Sequence, residues 1–240
     1  MLKEIKIPPH VLIRTIETNK FKEYGIKGTT LDGGCGDGTF ARNLLPTENI
    51  VGVDLYKLRL MKAKKILNGV VMADLNRLPF KLGAFDNTIS NSTLEHVKGH
   101  IGQVIREFAL VSRKLYVCVP SKIAHRLAPK GIFNVHTTMT EKEWHIVASN
   151  CGVINLDVHS FIPLVFQAIY YTAFILPIFK LPKILTTRIK DGVLIFIQGE
   201  SEFNRKKLYK KRIKVKGHYR IIVRDDKGRI VSSKKWSSKK

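Results

Sequence analysis

Between residues 29 and 119, short apolar runs alternate with longer stretches whose apolar positions recur at helical spacing. The runs 29–32, 50–54, 70–73, 85–90 and 115–119 predict strands, and the stretches 38–45, 56–67 and 101–111 predict helices between them. Parallel neighbours in a sheet need crossover helices, so this order predicts a doubly wound α/β sheet. A helix over 9–22 precedes the series. Downstream, Thr140 and Glu143 stand at capping-box spacing and open a predicted helix over 141–150, with strands to follow at 154–160 and 192–198.

Two segments break the alternation. Residues 161–179 hold no charged side chain and are apolar on every face, so they must be buried or lie in lipid. The run reaches the minimum of about 17 residues for a membrane span. Pro163 and Pro177 interrupt it, however, and a span would part the last strand from its sheet. The expectation is a hydrophobic insertion over 161–191 whose 161–181 part is a lid, a membrane-surface contact or an oligomer interface. The second segment is the tail, 203–240, with 16 Lys and Arg against two acids. It carries most of the formal charge of +23 and reads as a basic interaction extension, with a hairpin at HYRIIVRDDKGRIV. One domain is left over 1–202, with 1–27 as a helical lead-in.

Cys35, Cys118 and Cys151 form no CxxC pair, and the first residues do not read as a secretory signal. A reduced, cytoplasmic setting is expected, peripheral to a membrane if the insertion or tail meets one. The histidines and cysteines show no metal-ligand spacing, so no metal site is expected.

Candidate chemistry gathers at LDGGCGDGTF, residues 31–40, between a predicted strand and helix. Gly34, Gly36 and Gly38 permit positive φ and close approach of a ligand. No GxxxxGK[ST] loop is present, whereas GxGxxG/A is met from Gly36 through Gly38 to Ala41, so pattern alone leaves a dinucleotide open. Charge weighs against it, because Asp32 and Asp37 would repel a pyrophosphate. S-adenosylmethionine (SAM), with an α-ammonium and a sulfonium, fits them. Asp54 ends the next strand, 20 residues beyond Gly34, where a carboxylate can accept from both ribose hydroxyls. Asp74 follows the strand after that and could accept from an adenine amino group.

Taken together, LDGGCGDG, VGVDL, ADLNRLPF, AFDNTISNSTLEHV and LYVCVP, over residues 28–120, resemble the successive motifs of class I SAM-dependent methyltransferases, the small-molecule branch that includes quinone-biosynthesis enzymes. The resemblance implies a Rossmann-like fold with a seven-stranded, mostly parallel sheet whose last strand is antiparallel. It implies SAM as cofactor, with Asp32, Gly33, Gly34, Cys35, Gly36 and Gly38 at the methionine part, Asp54 and Leu55 at the ribose, and Asp74 and Leu75 at the adenine. Ser90, Asn91 and Ser92 would lie under the sulfonium. Gly33 departs from the family pattern in place of an apolar residue, an exchange expected to loosen the turn. Asn87 and Thr88 also replace apolar residues.

His96 and His136 are candidate bases, needed only if the acceptor must lose a proton. No Asn-Pro-Pro-aromatic motif follows the fourth strand, which points away from base N-methylation. The sequence therefore predicts methyl transfer to a small or lipid-like acceptor, with anionic headgroups as a partner of the tail. The alternative is an RNA-modifying or RNA-binding protein whose tail grips phosphates. A third reading is a non-catalytic subunit that keeps the fold.

Overall fold

The computed structural model describes residues 9–98, 100–122, 135–161, 188–189, 194–204, 209–215, 218–224 and 230–235. Helix α1 (Pro9–Lys22) leads into β1 (Thr30–Gly33), α2 (Thr39–Leu44), β2 (Ile50–Asp54), α3 (Lys57–Ala63) and β3 (Gly69–Met72). Then come β4 (Phe85–Asn91), α4 (Ile101–Val111), β5 (Ser112–Pro120), α5 (Glu141–Asn150), β6 (Val153–Phe161), β7 (Arg188–Ile189) and β8 (Leu194–Ser201). Their sheet runs β3-β2-β1-β4-β5-β8-β6-β7. The first five are parallel, and β8 enters antiparallel between β5 and β6. The expected doubly wound, seven-stranded fold is thus present, with the two-residue β7 added at its edge.

Alternation along the strands divides the core in two. Leu115, Val117 and Val119 of β5 face α4 and α5, where Phe108 and Trp144 are buried. Tyr116 and Cys118 face the opposite layer, where α1 supplies Ile16 and Phe21 and α2 supplies Ala41 and Leu44. Strands covered on both faces read as continuous apolar runs, which is why they were legible. The capping box at α5 is formed: Glu143 N donates to Thr140 Oγ1 at 3.3 Å and Thr140 N to Glu143 Oε2 at 2.7 Å.

Three expectations change. The helix predicted over 56–67 stops at Ala63. Asn68 is tied elsewhere, its Oδ1 accepting from Ile50 N at 3.0 Å and Arg42 Nη2 at 2.9 Å, so the chain tightens into turns before β3. The tail forms a three-stranded antiparallel sheet, β11-β10-β9, of which the expected hairpin is only β10 (His218–Arg224) and β11 (Ile230–Lys235). Strand β9 (Tyr209–Val215), YKKRIKV, reads in sequence as a charge run and finds its place through pairing with β10. Gly33 does not loosen the turn: it is a buried strand residue, and a Cβ there would lie 2.5 Å from Phe108 Cζ. The Phe108 ring fills the space that an apolar side chain would otherwise take. The insertion expected over 161–191 falls largely outside the described residues. Among the described residues no helix is long and apolar enough to cross a membrane.

Gly33→Ala is therefore expected to lower the unfolding free energy by about 1–3 kcal/mol through overpacking. Adding Phe108→Leu should recover part of the loss, read from chemical denaturation midpoints. Additive losses would contradict this contact.

Candidate active site

The strand order reverses direction between β1 and β4, and the carboxyl ends of both strands open there into one crevice. The turn after β1 is held by its own backbone: Gly34 N and Cys35 N both donate to Val53 O, at 2.8 and 3.0 Å. Gly34, at φ 80°, lies so close to the Thr93 side chain that no Cβ fits. Gly36, at φ 55°, has open space where a Cβ would stand. Its N–H donates to Asp54 Oδ2 at 2.9 Å, while Tyr56 N donates to Asp54 Oδ1 at 2.9 Å. Each Asp54 oxygen keeps a further lone pair for a ligand hydroxyl.

Asp32 is buried, and its Oδ2 has no hydrogen-bond partner among the described residues. Burial first, and then the Asp54 charge, push its carboxyl up to about 7. Asp37 is exposed and serves the helix start, its Oδ1 accepting from Thr39 N at 3.1 Å. Cys35 is buried beneath the turn, and burial together with the nearby Asp32 and Asp54 charges holds its thiol well above the usual range. It fills space against Gly52 and stays a thiol. Asp74 stands exposed at the end of β3, its Oδ1 accepting from Asn76 N and Nδ2 at 2.9 Å each. Leu75 is buried beside it, whereas Leu55 is 60% exposed.

Of the β4 residues, Ser90 does not present its hydroxyl to the crevice: it is fully buried and donates to Gly33 O at 2.7 Å. Asn91 does carry an unmet group, its Oδ1 being buried without a donor among the described residues. His96 closes a short 3-10 turn after β4, and His136 lies exposed on a second loop. Glu95 O joins the two loops, accepting from His136 N at 2.7 Å and Thr137 N at 3.1 Å.

Two residues absent from the sequence reading, Glu17 and Glu95, complete the wall. Glu17 of α1 is 1% exposed; its Oε2 accepts from Asn91 Nδ2 at 2.7 Å and Arg14 Nη1 at 3.2 Å, and its Oε1 from Ser92 Oγ at 3.0 Å. Burial raises its carboxyl against the pull of Arg14. Glu95 is 3% exposed with Oε2 unpartnered among the described residues, and burial, followed by the Glu17 charge, lifts it to about 8. In sequence Glu17 and Glu95 are single acids in an amphipathic helix and a loop. Only the packing of α1 over β4 makes them neighbours.

The unmet atoms at the crevice, Asp32 Oδ2, Asn91 Oδ1 and Glu95 Oε2, are acceptors when the carboxyls are ionised, so they call for a donor-bearing, cationic ligand. A pyrophosphate does not fit them. SAM fits the Asp32 and Asp54 side of this set: its cationic ammonium and sulfonium would be favoured by Asp32, and its ribose hydroxyls could donate to Asp54. Among the described residues no metal-binding group of side chains exists.

The sheet order is that of the SAM-dependent methyltransferase fold, with this acceptor-lined turn at its strand reversal. Residues 31–115 match the family described as Methyltransferase domain, of type 11. The malonyl-[acyl-carrier protein] O-methyltransferase of Legionella pneumophila is 38% identical over 85 residues, 32% of this chain. The chain spans only 30% of that relative's length. A SAM-dependent methyltransferase of Thermotoga maritima superposes with a TM-score of 0.61 at 18% identity, over 80% of this chain and 90% of the other. A chain from the complex of the Haloferax volcanii Trm112 methyltransferase activator with a methyltransferase gives 0.59 at 16% identity, over 80% and 91%. At these identities the structures speak for the fold.

Two outcomes are expected. A cation beside Asp32 favours its ionised form and draws its pKa below about 7, so the complex holds fewer protons than the free protein. SAM binding near pH 6.5 should release a proton, and affinity should rise from pH 5 to 8. Calorimetry in buffers of different ionisation enthalpy checks this, and Asp32→Asn should abolish it. Glu95, held protonated to about pH 8 in the fold against 4.5 for a free glutamate, makes the folded state bind the extra proton, so its contribution to stability falls as pH rises through that window. Glu95→Gln should therefore melt higher than the parent at pH 8 and alike at pH 4, in the absence of ligand.

Proposed function

We propose that the protein transfers a methyl group from SAM to a small or lipid-like acceptor that enters on the β4–β5 side of the crevice. The observation that carries this reading is the buried Asp32 carboxyl, whose Oδ2 has no partner among the described residues, beside the hydrogen-bonded Asp54 at the strand reversal. In this reading Asp54 fixes the ribose hydroxyls, Asp74 and Leu75 hold the adenine, and the turn from Asp32 to Gly38 cradles the methionine part. When bound, SAM supplies an electrophilic methyl on a cationic sulfur. The chain contributes chiefly by position, since well-oriented reactant pairs reach effective molarities of about 10⁵ M or more. A small acceptor is supported by the Legionella relative, whose name gives a carrier-bound malonyl group as acceptor. A second reading, RNA as partner, is favoured by one observation: β9 places Lys210, Arg212 and Lys214 at alternate positions of a sheet in the basic tail.

Incubation with methyl-labelled SAM and separate small-molecule, lipid and RNA fractions separates these readings. Label is expected in the small-molecule or lipid fraction; label in RNA alone would overturn the acceptor class. Asp54→Ala, which removes charged hydrogen bonds worth about 1.5–3 kcal/mol, should weaken SAM binding roughly 10- to 100-fold.

A further inference from the structure

On the far side of the strand reversal from Asp54 and Asp74, a second group of acceptors converges at the end of β4. Glu17 reaches it from α1, Asn91 from β4 and Glu95 from the turn that follows. Glu17 and Glu95 are buried, and their charges disfavour a further negative charge nearby, at Cys118 on β5 for example. Arg14, whose side chain is 51% exposed, is the cation bonded to Glu17. Asn91 turns its amide nitrogen to Glu17, which leaves its carbonyl oxygen buried with no donor among the described residues, and Glu95 Oε2 is in the same condition. Ser92 holds φ 49°, a left-handed conformation that costs a non-glycine residue about 1–3 kcal/mol, and from there its hydroxyl meets Glu17. A merely structural cluster would have its carbonyl and carboxylate oxygens satisfied. These oxygens await a ligand that brings several N–H donors and positive charge.

We propose that Glu17, Asn91 and Glu95 form the acceptor subsite and that the acceptor is a small aliphatic amine, bound as its ammonium. The proposal rests on the methyltransferase reading for its chemistry and on the unmet oxygens for its ligand. The bound ammonium favours the ionised form of Glu95, and it then gives one proton to that carboxylate. The freed nitrogen lone pair then forms the N–C bond as the C–S bond breaks and its electron pair remains on sulfur. The product leaves as a methylated ammonium. The proton on Glu95 passes to water beside His96, which is 47% exposed with Nε2 3.9 Å from Glu95 Oε1. Such a base works best with a pKa near the operating pH, and the buried position of Glu95 sets it there.

The test is saturation-transfer NMR on the full chain at pH 7.5 with n-butylamine, n-butanol and butyrate, in parallel with SAM calorimetry. Butylamine should receive at least about threefold more saturation than its two isosteres, and Glu17→Gln with Glu95→Gln should remove that excess. Equal signals, a preference for butyrate or butanol, or an amine signal unchanged in the variant would overturn the subsite. Should the double variant fail to melt cooperatively, Glu95→Gln alone carries the same comparison. The variants should bind SAM within about threefold of the parent; a parallel loss of SAM affinity would assign these carboxyls to the methyl donor and overturn the proposal. Failure of the parent to bind SAM would instead sink the methyltransferase reading, and the amine preference would still be measured.

Discussion

A buried carboxylate oxygen without a donor is costly in a folded protein, and here Asp32 Oδ2 and Glu95 Oε2 are both in that state among the described residues, on the two sides of one strand reversal. The rest of the domain is arranged around that constraint. Parallel β1 and β4 part company at their carboxyl ends, glycines keep the turn bare, and α1 closes over β4 through Glu17. Backbone N–H groups that could have quenched Asp32 go elsewhere: Gly34 and Cys35 to Val53, Gly36 to Asp54. The result is a crevice of acceptors in low dielectric, where a positive ligand interacts far more strongly than it would at the surface.

In the proposed reading, two carboxyl pairs divide the labour of such a site. Asp32 and Asp54 lie on the β1–β2 side with the open space above Gly36, and suit a nucleoside-bearing cation. Glu17 and Glu95 lie against β4 and β5, where a second reactant would stand next to the first. Their raised pKa values, opposite to those of carboxylates in surface ion pairs, follow from desolvation, to which the Glu17 charge adds at Glu95. Perturbed groups of this kind cluster where chemistry is done.

The sequence carried the frame of this structure with little loss. The runs 50–54, 101–111 and 141–150 match β2, α4 and α5 to the residue, because buried parallel strands and capped helices write their periodicity into the chain. Asp32, Asp54 and Asp74 were legible for the same reason, each standing where a strand ends. Glu17 and Glu95 were not. Their meaning depends on the packing of α1, 74 residues away from Asn91, and no local pattern encodes that. Gly33 was misread since the ring that excuses it, Phe108, belongs to a distant helix. Strand β9 was missed because its lysines hide an alternation that only pairing with β10 exposes.

The most direct test is a carbon-13 carboxyl NMR titration of Asp32, in the free protein and in the presence of SAM. The account expects a midpoint near pH 7 in the free protein and a lower one with SAM bound. An ordinary carboxylate midpoint in the free protein, or a midpoint that SAM does not move, would contradict it.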